Sequence, residues 1–154
     1  MKIFKFGGAS VKDADGVKNV LNVIKTVGHE DILIVISAMG KMTNALELVI
    51  TNYFDKSTEF NASLQEVKKY HNQILIDLFD DEDNDVFFAV NSHLADLEYF
   101  LRSNKSPNYS FVYDQVISYG ELISTTIVSH YFNEQGLNNN WIDVRNFIKT
   151  DNNY

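Results

Sequence analysis

The sequence predicts an α/β protein built on a mainly parallel sheet, and three observations carry that expectation. A short alternating run, Lys2-Ile3-Phe4-Lys5-Phe6, stops at Gly7-Gly8. A helical pattern follows, and then Ile32-Leu33-Ile34-Val35-Ile36 forms a continuous apolar, mostly β-branched run. Strand, helix and strand in that order make a crossover, the connection that parallel neighbours require.

Each element has its own warrant. Residues 2 to 6 alternate in polarity, as a strand does when it enters a glycine turn. From Asp13, a candidate N-cap, Val17, Val20, Leu21, Ile24 and Val27 recur at helical spacing up to Gly28, a candidate stop. The run 32 to 36 suits a strand covered by helices on both faces.

Four further helical patterns follow the loop Ser37 to Asn44. The first places Leu46, Val49 and Ile50 inward, and the second Leu64, Val67, Ile74, Leu75 and Leu78. Val90, Leu94, Leu97 and Leu101 mark the third, and a fourth runs from about Phe111 to Asn133 with Val112, Val116, Ile123, Ile127 and Tyr131 inward, ending at Gln135-Gly136. Trp141-Ile142-Asp143-Val144 then reads as a third strand, so the helices form an insertion between the second and third strands. Asp80 to Asp85 and the segment around Pro107 are turns between helices rather than domain linkers.

Composition narrows the function. The 154 residues are 45% hydrophobic and 22% charged, enough for one sizeable core, and contain no cysteine for a disulfide or thiolate site. A reducing, cytoplasmic setting suits such a chain. The formal charge of -8, without a basic stripe, disfavours nucleic acid and anionic lipid. Lys2 and Lys5 interrupt any signal-peptide run, and no apolar stretch is long enough to cross a bilayer.

Three segments could carry chemistry. Lys5, Phe6, Gly7, Gly8 and Ser10 set a cation at a strand end beside two residues whose backbone can approach a phosphate, although a plain βα turn would look the same. Ser37-Ala38-Met39-Gly40-Lys41-Met42-Thr43-Asn44 follows the carboxyl end of the second strand, where open α/β sheets place ligands. There Thr43 or Asn44 could equally cap the next helix. Ser118-Tyr119-Gly120-Glu121-Leu122-Ile123-Ser124 puts a glycine and a carboxylate inside an apolar helix, with Glu121 expected close to inward-facing neighbours or, alternatively, turned to solvent.

Other motifs fail. The spacing of G-x-G-x-x-G is absent, and at Gly40-Lys41 a methionine stands where a P-loop needs Ser or Thr. An EF-hand begun at Asp81 would place Val86 where glycine is needed and Ser92 where glutamate is needed. His29, His71, His93 and His130 lack paired ligand spacing.

Taken in order, the three segments resemble the aspartokinases of the amino-acid kinase family, which open with Lys-Phe-Gly-Gly-Thr-Ser, continue through a Ser-Ala-x-Gly-x-Thr-Asn type loop and later carry Ser-x-Gly-Glu. Ile142-Asp143-Val144-Arg145 and Lys149-Thr150 extend the resemblance over essentially the whole chain. One departure is Ala9, where the family has threonine; tuning rather than loss of nucleotide binding is expected.

The resemblance implies a partial carbamate-kinase-like fold. It also implies transfer of the ATP γ-phosphoryl, with Mg2+ accompanying the nucleotide, to the side-chain carboxylate of L-aspartate, giving 4-phospho-L-aspartate for lysine, threonine and methionine synthesis. Lys5 would be catalytic, and Phe6, Gly7, Gly8 and Ser10 would join it at the nucleotide phosphates. Ser37, Thr43 and Glu121 would bind aspartate, with Glu121 on its α-ammonium. Arg145 could stay near the substrate cleft or brace the loop after the third strand through an acidic neighbour, the structural role being favoured.

Residues 1–154 then correspond to the amino-terminal, substrate-binding part of the catalytic domain. The downstream Gly-Arg-Gly-Gly-Ser-Asp type loop, the rest of the nucleotide pocket and the ACT domains have no counterpart here, which implies negligible activity for this chain alone. Two readings stay open beside it: another carboxylate kinase of the same superfamily, and a non-catalytic assembly module. Oligomeric state is equally open, a homo-oligomer included.

Overall fold

The computed structural model describes residues 1–149. The first strand, β1 (Lys2–Phe6), pairs in parallel with β2 (Ile32–Ile36), in a register that sets Lys5 opposite Val35 and Phe6 opposite Ile36. Between them a 3-10 turn (Gly8–Val11) leads into α1 (Ala14–Val27). Asp13 caps α1 as its sequence position predicts, its carboxylate accepting from the Gly16 N–H at 2.8 Å. Gly28 ends the helix at φ 85°, a backbone setting that glycine adopts without strain.

Four helices follow: α2 (Met42–Phe54), α3 (Phe60–Leu78), α4 (Asp85–Ser103) and α5 (Tyr109–Glu134). The expected inward positions are the buried ones. Leu46, Val49, Ile50, Leu64, Val67, Leu75, Val90, Leu97, Val112, Val116, Ile123 and Ile127 all lie in one core cluster with α1. α2 packs on α3 and α5, and α4 packs on α5. Asn84 and Asn108 cap α4 and α5 by accepting from the N–H groups of Val86 and Phe111.

Two expectations are corrected. Among the described residues the sheet is covered on one face only: Phe4, Phe6, Ile32 and Ile34 pack against the core, whereas Ile3 is 63% exposed and Val35 43% exposed. The residues that alternate with them along these apolar strands, Ile3, Lys5, Leu33 and Val35, meet solvent.

Nor do residues 141–144 form a third strand; among the described residues the sheet has two strands. The segment is held to the helices instead. Trp141 Nε1 donates to Thr125 Oγ1 at 2.9 Å, and Asp143 accepts from the Arg145 N–H to start a 3-10 turn at Val144–Asn146. Thr150, part of the Lys149-Thr150 motif, lies outside the described residues.

Candidate functional site

Because Phe6 and Ile36 are register partners, the chain leaves both strands side by side at one end of the sheet. The Ser37 N–H donates to the Phe6 carbonyl at 3.1 Å, and the Gly40 N–H donates to the Gly8 carbonyl at 3.0 Å. The glycine turn and the second loop are thereby one backbone surface. Gly8 permits it: a Cβ there would lie 2.6 Å from the Ala38 oxygen and 2.8 Å from the Gly40 oxygen. A Cβ on Gly7 would meet nothing within 4 Å, so that side of the turn is open to a ligand.

α5 supplies the floor. Gly120 is buried, and a Cβ on it would come 2.9 Å from the Ala38 Cβ and 3.2 Å from Leu46 Cδ1. One turn further on, the buried Ser124 donates its hydroxyl to the Ser37 carbonyl at 2.8 Å. Gly120 and Ser124 share a helix face and together seat the first two residues of the loop. Glu121, rotated ~100° from Gly120, is exposed rather than held among inward neighbours.

Thr43 and Asn44 are not caps. The helix α2 starts one residue earlier, at Met42, with Lys41 at the N-cap and no side-chain hydrogen bond there. Thr43 is half-buried in the first turn of the helix. The capping alternative is thereby removed for both residues.

The net charge of -8 does not extend to this corner. Lys5 is exposed at the end of β1, Lys12 follows the 3-10 turn, and Lys41 adjoins Gly40. Lys12 reaches Asp13 only at 3.9 Å, with both side chains more than half exposed, so solvent screens that pair. Arg145 pairs with Asp143 at 2.7 Å and reaches Ser118 Oγ at 3.5 Å, contacts of the bracing kind, one of the two roles open to it from the sequence. Its guanidinium holds the Asp143 carboxyl below the usual carboxylate range, and the carboxylate in turn raises Arg145.

The residue that sequence reasoning missed is Tyr70. From α3 its hydroxyl donates to the Lys12 carbonyl, and a Cβ on Gly40, which sits at φ 54°, would lie 2.5 Å from the same oxygen. Tyr70 therefore packs on both loops at once. No periodic signal marks it, because docking of a helix against two distant loops leaves no trace in local spacing.

The amino acid kinase family matches this chain over residues 1–154. The chain belongs to the amino acid kinase family. It is 28% identical over 152 residues to the chloroplastic bifunctional aspartokinase/homoserine dehydrogenase 2 of Arabidopsis thaliana, covering 95% of this chain and 16% of that protein. The bifunctional aspartokinase/homoserine dehydrogenase 2 of Escherichia coli K12 is 27% identical, with 97% of this chain and 18% of that protein covered. Among solved structures, E. coli aspartokinase III in complex with aspartate and ADP superposes with a TM-score of 0.82 at 22% identity, over 100% of this chain and 33% of that one. This amino acid kinase family chain thus spans about one sixth of the length of these two curated relatives. The aspartokinase resemblance and the partial α/β fold are both borne out. No helix among the described residues is long and apolar enough to cross a membrane.

Proposed function

We propose that this chain supplies the aspartate-binding half of an aspartokinase site and the first turn of its nucleotide site. The observation that carries the proposal is the joining of the Gly8 turn, the Gly40 loop and the Gly120–Ser124 face of α5 at one end of the sheet. These are the three segments that the aspartokinase resemblance singles out, and curated relatives of the chain are aspartokinases.

The chemistry asked of them is positioning. A side-chain carboxylate with a pKa of about 4 is ionised at neutral pH and attacks a phosphoryl group without a general base. The obstacle is the approach of two anions, which Lys5 offsets at the transferring phosphoryl while the amides of Gly7 and Gly8 supply fixed donors. Ser10 adds a hydroxyl at the same turn. Thr43 hydrogen-bonds the bound aspartate, Ser37 lines the pocket, and Glu121, exposed and therefore accessible, pairs with the α-ammonium.

Fit to the nucleotide is partial. The open side of Gly7 and the lysines around it suit phosphate oxygens, whereas among the described residues no group of three His, Asp or Glu side chains could hold a metal ion. Mg2+, which the resemblance implies with the nucleotide, would supply charge neutralisation between the phosphates and aspartate.

Amide-resolved NMR of the chain titrated with L-aspartate, succinate and ADP tests the assignment. L-aspartate is expected to shift Ser37, Thr43 and Glu121, succinate to leave Glu121 unmoved, and ADP to shift Gly7, Gly8 and Ser10. Absence of any shift at millimolar ligand would overturn it. Phosphoryl transfer by the isolated chain is expected to be negligible, and measurable ATP- and aspartate-dependent transfer would overturn that part.

A further inference from the structure

α4 carries a second pattern on the face turned away from the core. Its buried residues Val86, Val90, Leu94, Leu97 and Leu101 point inward, and directly opposite them Asp85, Phe88, Ser92, Ala95, Tyr99 and Arg102 are all exposed. Phe88 is 80% and Tyr99 74% exposed, among the most open large side chains of the molecule. The spacing along this stripe is 3, 4, 3, 4, 3, the repeat by which one helix packs along another.

The stripe is also a palindrome in size and a complement in charge. Reversed end for end about its middle, it sets aromatic Phe88 against aromatic Tyr99, small Ser92 against small Ala95, and acidic Asp85 against basic Arg102. Beside it, Asn91 falls opposite Asp96, an amide donor facing a carboxylate. A twofold axis through an antiparallel helix pair performs that reversal, since an isologous interface requires residue i to meet j while j meets i. The parallel arrangement would instead stack Asp85 on Asp85 and Arg102 on Arg102, which like-charge repulsion disfavours.

We propose that the outer face of α4 is a self-association surface, on which a second copy of this chain docks its own α4 antiparallel. Arg102 already donates through Nε and Nη2 to Glu98 and Asn61, so Asp85 of the second copy is met by Nη1. One helix per copy buries less than the ~1,200 Å² of a standard interface, and the dimer is correspondingly weak, with a dissociation constant in the micromolar range or above. The surface lies on a different element from the loops that bind substrate in the reading above, so association and ligand binding are separately measurable.

Sedimentation equilibrium of the whole chain from ~1 to ~500 μM is expected to show monomer and dimer in exchange. Phe88→Lys should weaken association at least tenfold with an unchanged circular dichroism melt, because the side chain touches solvent in the monomer. Asp85→Arg should weaken it, and Asp85→Arg with Arg102→Glu should recover it. Orientation is read separately: the chain has no cysteine of its own, so a Ser92→Cys protein mixed with an Ala95→Cys protein should oxidise mainly to the mixed disulfide. A chain that stays monomeric at the highest concentration, a dimer indifferent to Phe88→Lys, or preferential pairing of Ser92→Cys with itself would each overturn the proposal.

Discussion

His71 is fully buried on α3, where its Nδ1 lies 2.9 Å from the Val67 carbonyl and its Nε2 has no partner. Burial lowers its pKa from 6.5 to about 4, against a smaller opposing effect of the Val67 hydrogen bond, so at neutral pH the ring is neutral with its proton on the donating Nδ1. The folded pKa lies below the unfolded one, so the unfolded chain binds more protons at acid pH. This contribution to stability is complete above pH 6.5 and is lost as pH falls toward 4. About 2 kcal/mol should disappear between pH 7.5 and pH 5, and urea unfolding of His71→Phe should show a flatter profile over that window than the parent chain. Ser124 makes a different kind of prediction. Its hydroxyl is the side-chain partner of the Ser37 carbonyl, and Ser124→Ala should cost about 1–2 kcal/mol in thermal unfolding and, in the proposed site, weaken aspartate binding measured by the same NMR titration.

At the scale of elements, α1 to α4 were legible because each buries one face, which the period of 3.6 residues records directly. α5, by contrast, is buried almost all round from Leu122 to Phe132 and was legible by its apolar length. Asp13 illustrates how far such reading goes: the residue type, the position and the hydrogen bond to Gly16 agree. Asp13→Ala should destabilise the chain by about 1 kcal/mol in urea unfolding. The strands were harder. β2 reads as uniformly apolar, yet Val35 is 43% exposed and Ile36 only 7%. Val35→Thr should therefore change the unfolding free energy by less than about 0.5 kcal/mol, whereas Ile36→Thr, which buries a hydroxyl, should cost about 2 kcal/mol or more. An equal loss at both positions would mean that the second face of the sheet is covered in solution. Residues 141–144 were misread for a related reason. Apolar and aromatic composition fits a strand, but the Trp141 indole found a hydroxyl on α5 and the segment gained no ladder partner.

Across the whole molecule, sequence determined the parallel βαβ opening, the existence of five helices and most of their buried positions, Val27 excepted, and the three segments that meet at the candidate site. Those properties are local: periodicity, capping chemistry and glycine turns act over a few residues, and the family motifs lie within them. Tertiary structure alone decided that the Gly8 and Gly40 loops share a backbone hydrogen bond, that Gly120 and Ser124 seat the second loop, and that Tyr70 reaches both loops from α3. It also decided that Thr43 does not cap α2, that Glu121 faces outward and that one sheet face is open. Each of these depends on which surfaces distant segments present to one another, a relation set by close packing over the whole core, and no window of sequence contains it.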